Sequence, residues 1–171
     1  VWFWLLFISV LTFGFVVFRG APYVPSRKRQ LAIAFEDLYP LSSQDTLVDI
    51  GSGDGIVLRE AAKRGARAIG YELNPVLVLI SRLLSRQQPG VTTRLADFWF
   101  VSLPTETTVV YVFGESRDIA KMAKKVRDEA QHLQKVLSFI SYGFIVPGLE
   151  PEKKVGPYYL YRFTPLHTDE A

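Results

Sequence analysis

The sequence predicts an α/β fold: a doubly wound, mostly parallel sheet with a shortened C-terminal strand region, preceded by one transmembrane helix. Three observations predict it. Short apolar runs alternate with helix-forming segments from Thr46 onward, the pattern of parallel strands joined by right-handed helical crossovers. A glycine turn, Gly51-Ser52-Gly53-Asp54-Gly55, stands between the first such run and the first helix after it. Residues 1–18 contain no charge and are dominated by Trp, Phe, Leu, Val and Ile. With 171 residues and 49% hydrophobic content, the chain can hold one domain of ordinary size plus a short addition. The expected division is an anchor over 1–19, a link and covering helix over 20–45, and a ligand-binding domain over 46–171.

As a helix, residues 1–18 would span about 27 Å, enough to cross most of a bilayer core. The other readings of this run are a secretory signal peptide, a buried core helix or an interfacial segment; a signal peptide usually has a basic n-region, and none is visible before Val1. Arg19, Arg27, Lys28 and Arg29 follow the run, which predicts a single-pass membrane protein with its domain on the cytoplasmic side. The same cluster suits anionic headgroups. Ser26 can cap a helix through about Tyr39, with Leu31, Ala34, Phe35 and Leu38 on one face. Thr46 to Ile50 reads as a strand buried on both faces, and Val57 to Arg64 as a helix that Gly65 stops. Arg67 to Glu72 is the second strand. Asn74-Pro75 caps and opens a helix through about Gln87, with Val76, Leu79, Ile80 and Leu83 expected to pack on the sheet. Strands follow at Thr92 to Ala96 and Val109 to Phe113, then a charged helix over roughly 116–134 and a strand at Val136 to Ser141. Beyond them only Tyr158 to Phe163 reads as a strand.

The turn carries the chemistry. Glycines at 51, 53 and 55 allow positive φ and close approach of a ligand, so that main-chain N–H groups at the helix start can face a carboxylate or a sugar edge. A dinucleotide fingerprint needs a small residue at its sixth position, and that position is Ile56. Glu72, ending the second strand, can accept from both ribose hydroxyls. Asp97, after the third, can accept from an adenine amine, beside Phe98 and Trp99. This spaced set points to S-adenosylmethionine, held by Asp49, Gly51, Ser52, Gly53, Gly55, Glu72, Leu73, Asn74, Asp97 and Phe98. Each acid has a plainer reading as a helix cap or solvated charge, and Asn74 as a cap alone. Glu72→Ala is expected to abolish cofactor binding and leave the fold intact.

Tyr23-Val24-Pro25-Ser26, the turn from Asp49 to Gly55, Gly70-Tyr71-Glu72-Leu73-Asn74-Pro75, Ser81-Arg82 and Asp97-Phe98-Trp99 together resemble the membrane-associated seven-strand lysine methyltransferases that modify the ATP synthase c-subunit and the adenine nucleotide translocase, and their prokaryotic relatives. The resemblance implies a Rossmann-like class I methyltransferase fold. It also implies that Tyr23, Pro25 and Ser26 lie over the methionine end of the cofactor, where the alternative is a Pro-fixed turn leading into a capped helix. The covering helix would then lid the cofactor.

Methyl transfer to nitrogen requires a nucleophile held in line with the methyl carbon, and a lysine acceptor must be neutral although its ordinary pKa is about 10.4. An aromatic channel would favour the neutral amine by desolvation. The acceptor is expected beyond the fourth strand, where Glu115 could orient the incoming ammonium or simply favour a helix start. That segment lacks the Asp/Asn-Pro-Pro-Tyr motif of amide and base methylators. The expected function is methylation of lysine on a protein at or in the membrane. The alternatives are a small-molecule or lipid methyltransferase, a non-catalytic cofactor-binding module, and an oxidoreductase, which Ile56 opposes. A net charge of +3 and a basic helix face at Lys121, Lys124, Lys125 and Arg127 give no nucleic-acid surface. Cysteine is absent, excluding disulfides and thiolate sites. His132 and His167 have no metal-ligand spacing, so no metal is expected.

Overall fold

The computed structural model describes residues 2–4, 28–113 and 118–166. Most of the expected anchor, Tyr23, Pro25, Ser26, Glu115 and His167 lie outside them. Among the described residues no helix is long and apolar enough to cross a membrane.

Helix α1 (Lys28–Ala32) continues as a π-helical segment, Ile33–Leu38. Then come β1 (Thr46–Ile50), α2 (Ile56–Ala62), β2 (Arg67–Glu72), α3 (Pro75–Leu84), β3 (Val91–Leu95), β4 (Val109–Val112), α4 (Ile119–His132), β5 (Leu137–Tyr142), β6 (Lys153–Val155) and β7 (Tyr158–Phe163). A single 3-10 turn, Phe98–Phe100, follows β3. The strands form one sheet in the order β3-β2-β1-β4-β5-β7-β6. β1 to β5 are parallel, and β7 and β6 are antiparallel additions. The doubly wound sheet is therefore present, and its C-terminal hairpin is short rather than missing a strand. β6 escaped sequence reading because Lys153-Lys154-Val155 is a charged edge strand with one apolar residue, too short to show alternation.

Side chains alternate between two cores, as period-two geometry requires. Leu47, Ala68, Val109, Tyr111, Ile140 and Leu160 face Leu31, Ala34, Phe35 and Leu38 of the first helical segment and Val57, Leu58 and Ala61 of α2. Val48, Ile50, Ile69, Val110, Val112 and Phe139 face Ile119, Ala123, Val126 and Ala130 of α4. The apolar face expected for the first helix is thus the buried one.

Helix α3 reverses its expected orientation. Val76, Leu79, Ile80 and Leu83 are exposed, and the buried residues of the helix are Val78 and Ser81. Small polar groups bring it against the sheet: Ser81 Oγ lies 2.6 Å from Thr93 Oγ1, and Arg82 donates from Nε and Nη2 to the Thr93 carbonyl at 3.0 and 2.9 Å. A Cβ on Gly55 would stand 2.1 Å from Ser81 Oγ, so helix and turn are packed through a site that only glycine leaves open.

Candidate functional site: a glycine cradle at the carboxyl edge of the sheet

Strand order reverses at β1, which sits between β2 and β4. The crevice outside the carboxyl ends of such strands is where open α/β sheets bind ligands. The turn after β1, Glu72 ending β2, Asp97 after β3, Phe113 after β4 and Tyr142 ending β5 all stand at this edge.

The cradle is clipped to β2. Gly51 and Ser52 both donate their main-chain N–H to the Tyr71 carbonyl, at 2.9 and 3.1 Å. Gly51, Gly53 and Gly55 have φ of 73°, 54° and 78°, the left-handed region that side chains disfavour. A Cβ on Gly51 would meet nothing within 4 Å, so space lies open there. Gly70, in the interior of β2, allows the close approach beneath: a Cβ there would stand 2.4 Å from Ser52 Oγ and 2.7 Å from Leu58 Cδ1. Glycine inside a strand signals such an approach.

Glu72 is buried and its carboxylate holds the cradle in place. Oε2 accepts from Gly53 N–H at 2.9 Å, and Oε1 accepts from Asn74 N–H at 2.8 Å. An ionised carboxylate has about four acceptor positions, so both oxygens can still receive ribose hydroxyls. Expecting Glu72→Ala to leave the fold intact therefore needs correction, because the side chain also accepts from two main-chain donors that alanine would leave without it.

Asp49 is fully buried beneath the turn, and Oδ2 has no hydrogen-bond partner; Ser52 Oγ is buried without one as well. Burial, then the charges of Glu72 and Asp54, pushes the Asp49 carboxyl well above the usual carboxylate range. A buried acceptor and hydroxyl with nothing to bind fit a ligand that brings a positively charged donor. Asp54 is not part of that set, since it accepts from Ile56 N–H at 3.1 Å and pairs with Arg59 at 3.3 Å.

The other expected residues divide by role. Asn74 caps α3, its Oδ1 accepting from Val76 and Leu77 N–H at 2.9 and 3.4 Å, and Leu73 is half-buried beside it. Asp97 is half-buried and caps the 3-10 turn, its Oδ1 accepting from Trp99 N–H at 3.0 Å. The Phe98 ring packs into the α4-side core with Tyr71 and Trp99 at 6.3 and 5.9 Å. Only its main chain is left to meet a ligand. Among the described residues no group of side chains could hold a metal ion.

Sequence reading missed an aromatic set. The Phe113 and Tyr142 rings meet edge to face at 4.8 Å, and Tyr142 and Tyr158 at 4.9 Å. Tyr142 donates its hydroxyl to Gln30 Oε1 of α1 at 3.3 Å, tying the first helix to this end of the sheet. The three aromatics come from β5, β7 and the end of β4, and no spacing in the chain connects them.

Residues 49–153 match the family model described as the ANTKMT methyltransferase domain. The chain belongs to that family. Its relatives include the ATP synthase c-subunit lysine N-methyltransferases of Xenopus laevis, 38% identical over 120 residues (68% of this chain, 52% of the relative), and Rattus norvegicus, 33% identical over 138 residues (79% and 61%). The adenine nucleotide translocase lysine N-methyltransferase of Mus musculus is 38% identical over 86 residues, 48% of this chain and 37% of the relative. This member of the ANTKMT methyltransferase domain family thus spans about half the length of the relatives it matches, 52% and 50% of the first two. Among solved structures, an RNA methyltransferase from Salinibacter ruber in complex with S-adenosyl-L-homocysteine has a TM-score of 0.73 at 23% identity, covering 86% of this chain and 98% of that one. At that identity the likeness concerns the fold, which is that of class I methyltransferases.

Proposed function

We propose that this family member is an S-adenosylmethionine-dependent protein-lysine N-methyltransferase that acts on a membrane or membrane-proximal protein. The carrying observation is Glu72: a buried carboxylate fixed at 2.9 and 2.8 Å by Gly53 and Asn74 N–H groups, beside an open glycine turn at the strand-order reversal. A carboxylate so fixed suits a ribose, Asp97 an adenine amine, and Asp49 with Ser52 a cationic amino-acid end. Tyr23, Pro25 and Ser26, ahead of α1, are the candidates to cover that end. The lysine methyltransferase relatives support the substrate class.

The bound cofactor supplies an electrophilic methyl group. The chain's own part is to place an amine in line with it, exclude water and favour the neutral amine. Phe113 and Tyr142, backed by the buried Tyr158, supply an aromatic wall that disfavours an ammonium. Burial pushes the Tyr158 hydroxyl up to about 12, so it does not ionise near neutral pH and is no base. Glu115, two residues beyond Phe113, is the candidate to orient the incoming amine and receive its proton. Through Gln30 and Tyr142, α1 can act as the lid over this end. The uncharged segment 1–18 with its basic flank would anchor the chain as a single pass, its domain on the cytoplasmic side, confining enzyme and acceptor to one surface.

The test is mass spectrometry of membrane proteins incubated with the purified chain and methyl-labelled cofactor. A lysine mass shift that disappears with Glu72→Gln is expected. Label entering only lipid or small molecules would overturn the protein acceptor, and no binding of S-adenosylhomocysteine by calorimetry would overturn the site itself.

A further inference from the structure

Helix α3 is amphipathic in the wrong sense for a helix that only packs on its own sheet. Its inward seam is Val78, Ser81 and Ser85, joined to β3 through the Thr93 hydroxyl and carbonyl. Its outward face carries Val76, Leu79, Ile80, Leu83 and Leu84, between 38% and 68% exposed. Contiguous exposed apolar surface of this kind marks an interaction site. Leu95, exposed as well, follows Thr93 by two residues and so shares its sheet face. It is paired with Glu72, and it extends the stripe toward the cofactor crevice.

Within the segment that carries the stripe, charge has one sign. Residues 75–96 contain Arg82, Arg86 and Arg94 and no Asp or Glu. At the C-terminal end of α3, Arg82, Ser85, Arg86, Gln88, Thr92 and Thr93 line a cleft of about 370 Å³. Ser85, only 6% exposed, and Gln88 each hold a buried side-chain oxygen without a hydrogen-bond partner there. A stripe of branched apolar side chains flanked by arginines suits the interface of an anionic membrane, apolar within and negatively charged at its surface. A second copy of the chain would cover the stripe but bring these arginines against one another, and the uncharged N-terminal segment would leave them without counter-charge. An anionic lipid surface answers both.

We propose that α3 is an interfacial docking element. Its apolar stripe enters the acyl region of an anionic bilayer, Arg82 and Arg86 meet the lipid phosphates, and the carboxyl edge of the sheet is held against the membrane surface. This is a contact separate from the N-terminal anchor, and it does not depend on methyl transfer: its failure would leave the Glu72 site untouched.

The sequence has no cysteine, so single labels can be placed cleanly in the full chain. Leu79→Cys, Leu83→Cys and, on exposed α4 surface, Lys124→Cys would each carry a polarity-sensitive fluorophore. Each labelled chain would be reconstituted in phosphatidylglycerol/phosphatidylcholine vesicles and, without lipid, in an amphipathic polymer. The expected result is blue-shifted emission and quenching by doxyl-labelled lipid at positions 79 and 83, and neither at 124. The arginine changes Arg86→Gln and Arg86→Glu, at an exposed position, should reduce that quenching severalfold, with circular dichroism and S-adenosylhomocysteine affinity unchanged. The proposal is overturned if positions 79 and 83 behave like 124 in vesicles. It is equally overturned if they are as blue-shifted without lipid, which would mean that the N-terminal segment or a second copy covers the stripe, or if the arginine changes leave the quenching as it was.

Discussion

Replacing Glu72 by glutamine keeps the size of the side chain and removes its charge, which separates the two jobs of that carboxylate. In the wild type its oxygens accept from Gly53 and Asn74 N–H at 2.9 and 2.8 Å. Glutamine can accept from one of them; its NH2 then points a donor at the other. That substitution forfeits one charge-assisted bond and leaves a buried N–H unpaired, together about 2–4 kcal/mol when relaxation recovers part of the loss. For a domain of this length the apparent Tm should fall by roughly 5–12 °C. Ribose hydroxyls would face a neutral amide in place of a carboxylate, so affinity for S-adenosylhomocysteine should fall roughly 30- to 1000-fold, or about 2–4 kcal/mol. Scanning fluorimetry gives the first quantity, and calorimetry well below the variant's Tm gives the second. A variant whose Tm stays within about 1 °C of the wild type would refute the structural job, and one that binds within about threefold would refute the ligand.

Gly70→Ala places a methyl group within 2.4 Å of Ser52 Oγ. It should destabilise the chain by about 1–3 kcal/mol in chemical denaturation and weaken cofactor binding by displacing the turn. An unchanged unfolding midpoint would count against the close approach. Asp49→Asn tests the buried acid through pH. Because the folded-state pKa of Asp49 is raised, its protonated form is the one folding favours. The associated stability is present below the unfolded pKa of about 3.9 and is lost as pH rises through the folded value. In the absence of ligand, the variant should therefore gain on the wild type in Tm as pH rises from about 4 to 8, while binding S-adenosylhomocysteine more weakly. A difference in Tm that is flat with pH would remove the assignment.

The sequence by itself determined the order of strands and helices along the parallel part of the sheet and the place of the glycine turn. These are local properties: apolar runs of strand length, good helix formers with Gly65 as a stop, and glycines spaced for positive φ are visible within a few residues of one another. It also placed Glu72 and Asp97 at strand ends, since an acid closing an apolar run has little choice of position. Tertiary structure decided what those residues do. Glu72 stabilises the turn because the carboxyl ends of β1 and β2 are neighbours; Asp49 Oδ2 is left unsatisfied because the fold buries it without a donor; and Phe113, Tyr142 and Tyr158 meet because β4, β5 and β7 are adjacent. Helix α3 makes the point most clearly. Its periodicity said correctly which side chains share a face, but periodicity cannot say which face is inward. That was fixed by the fit of Ser81 against Gly55 and Thr93, a matter of small side chains approaching closely, and the leucines were left to look outward.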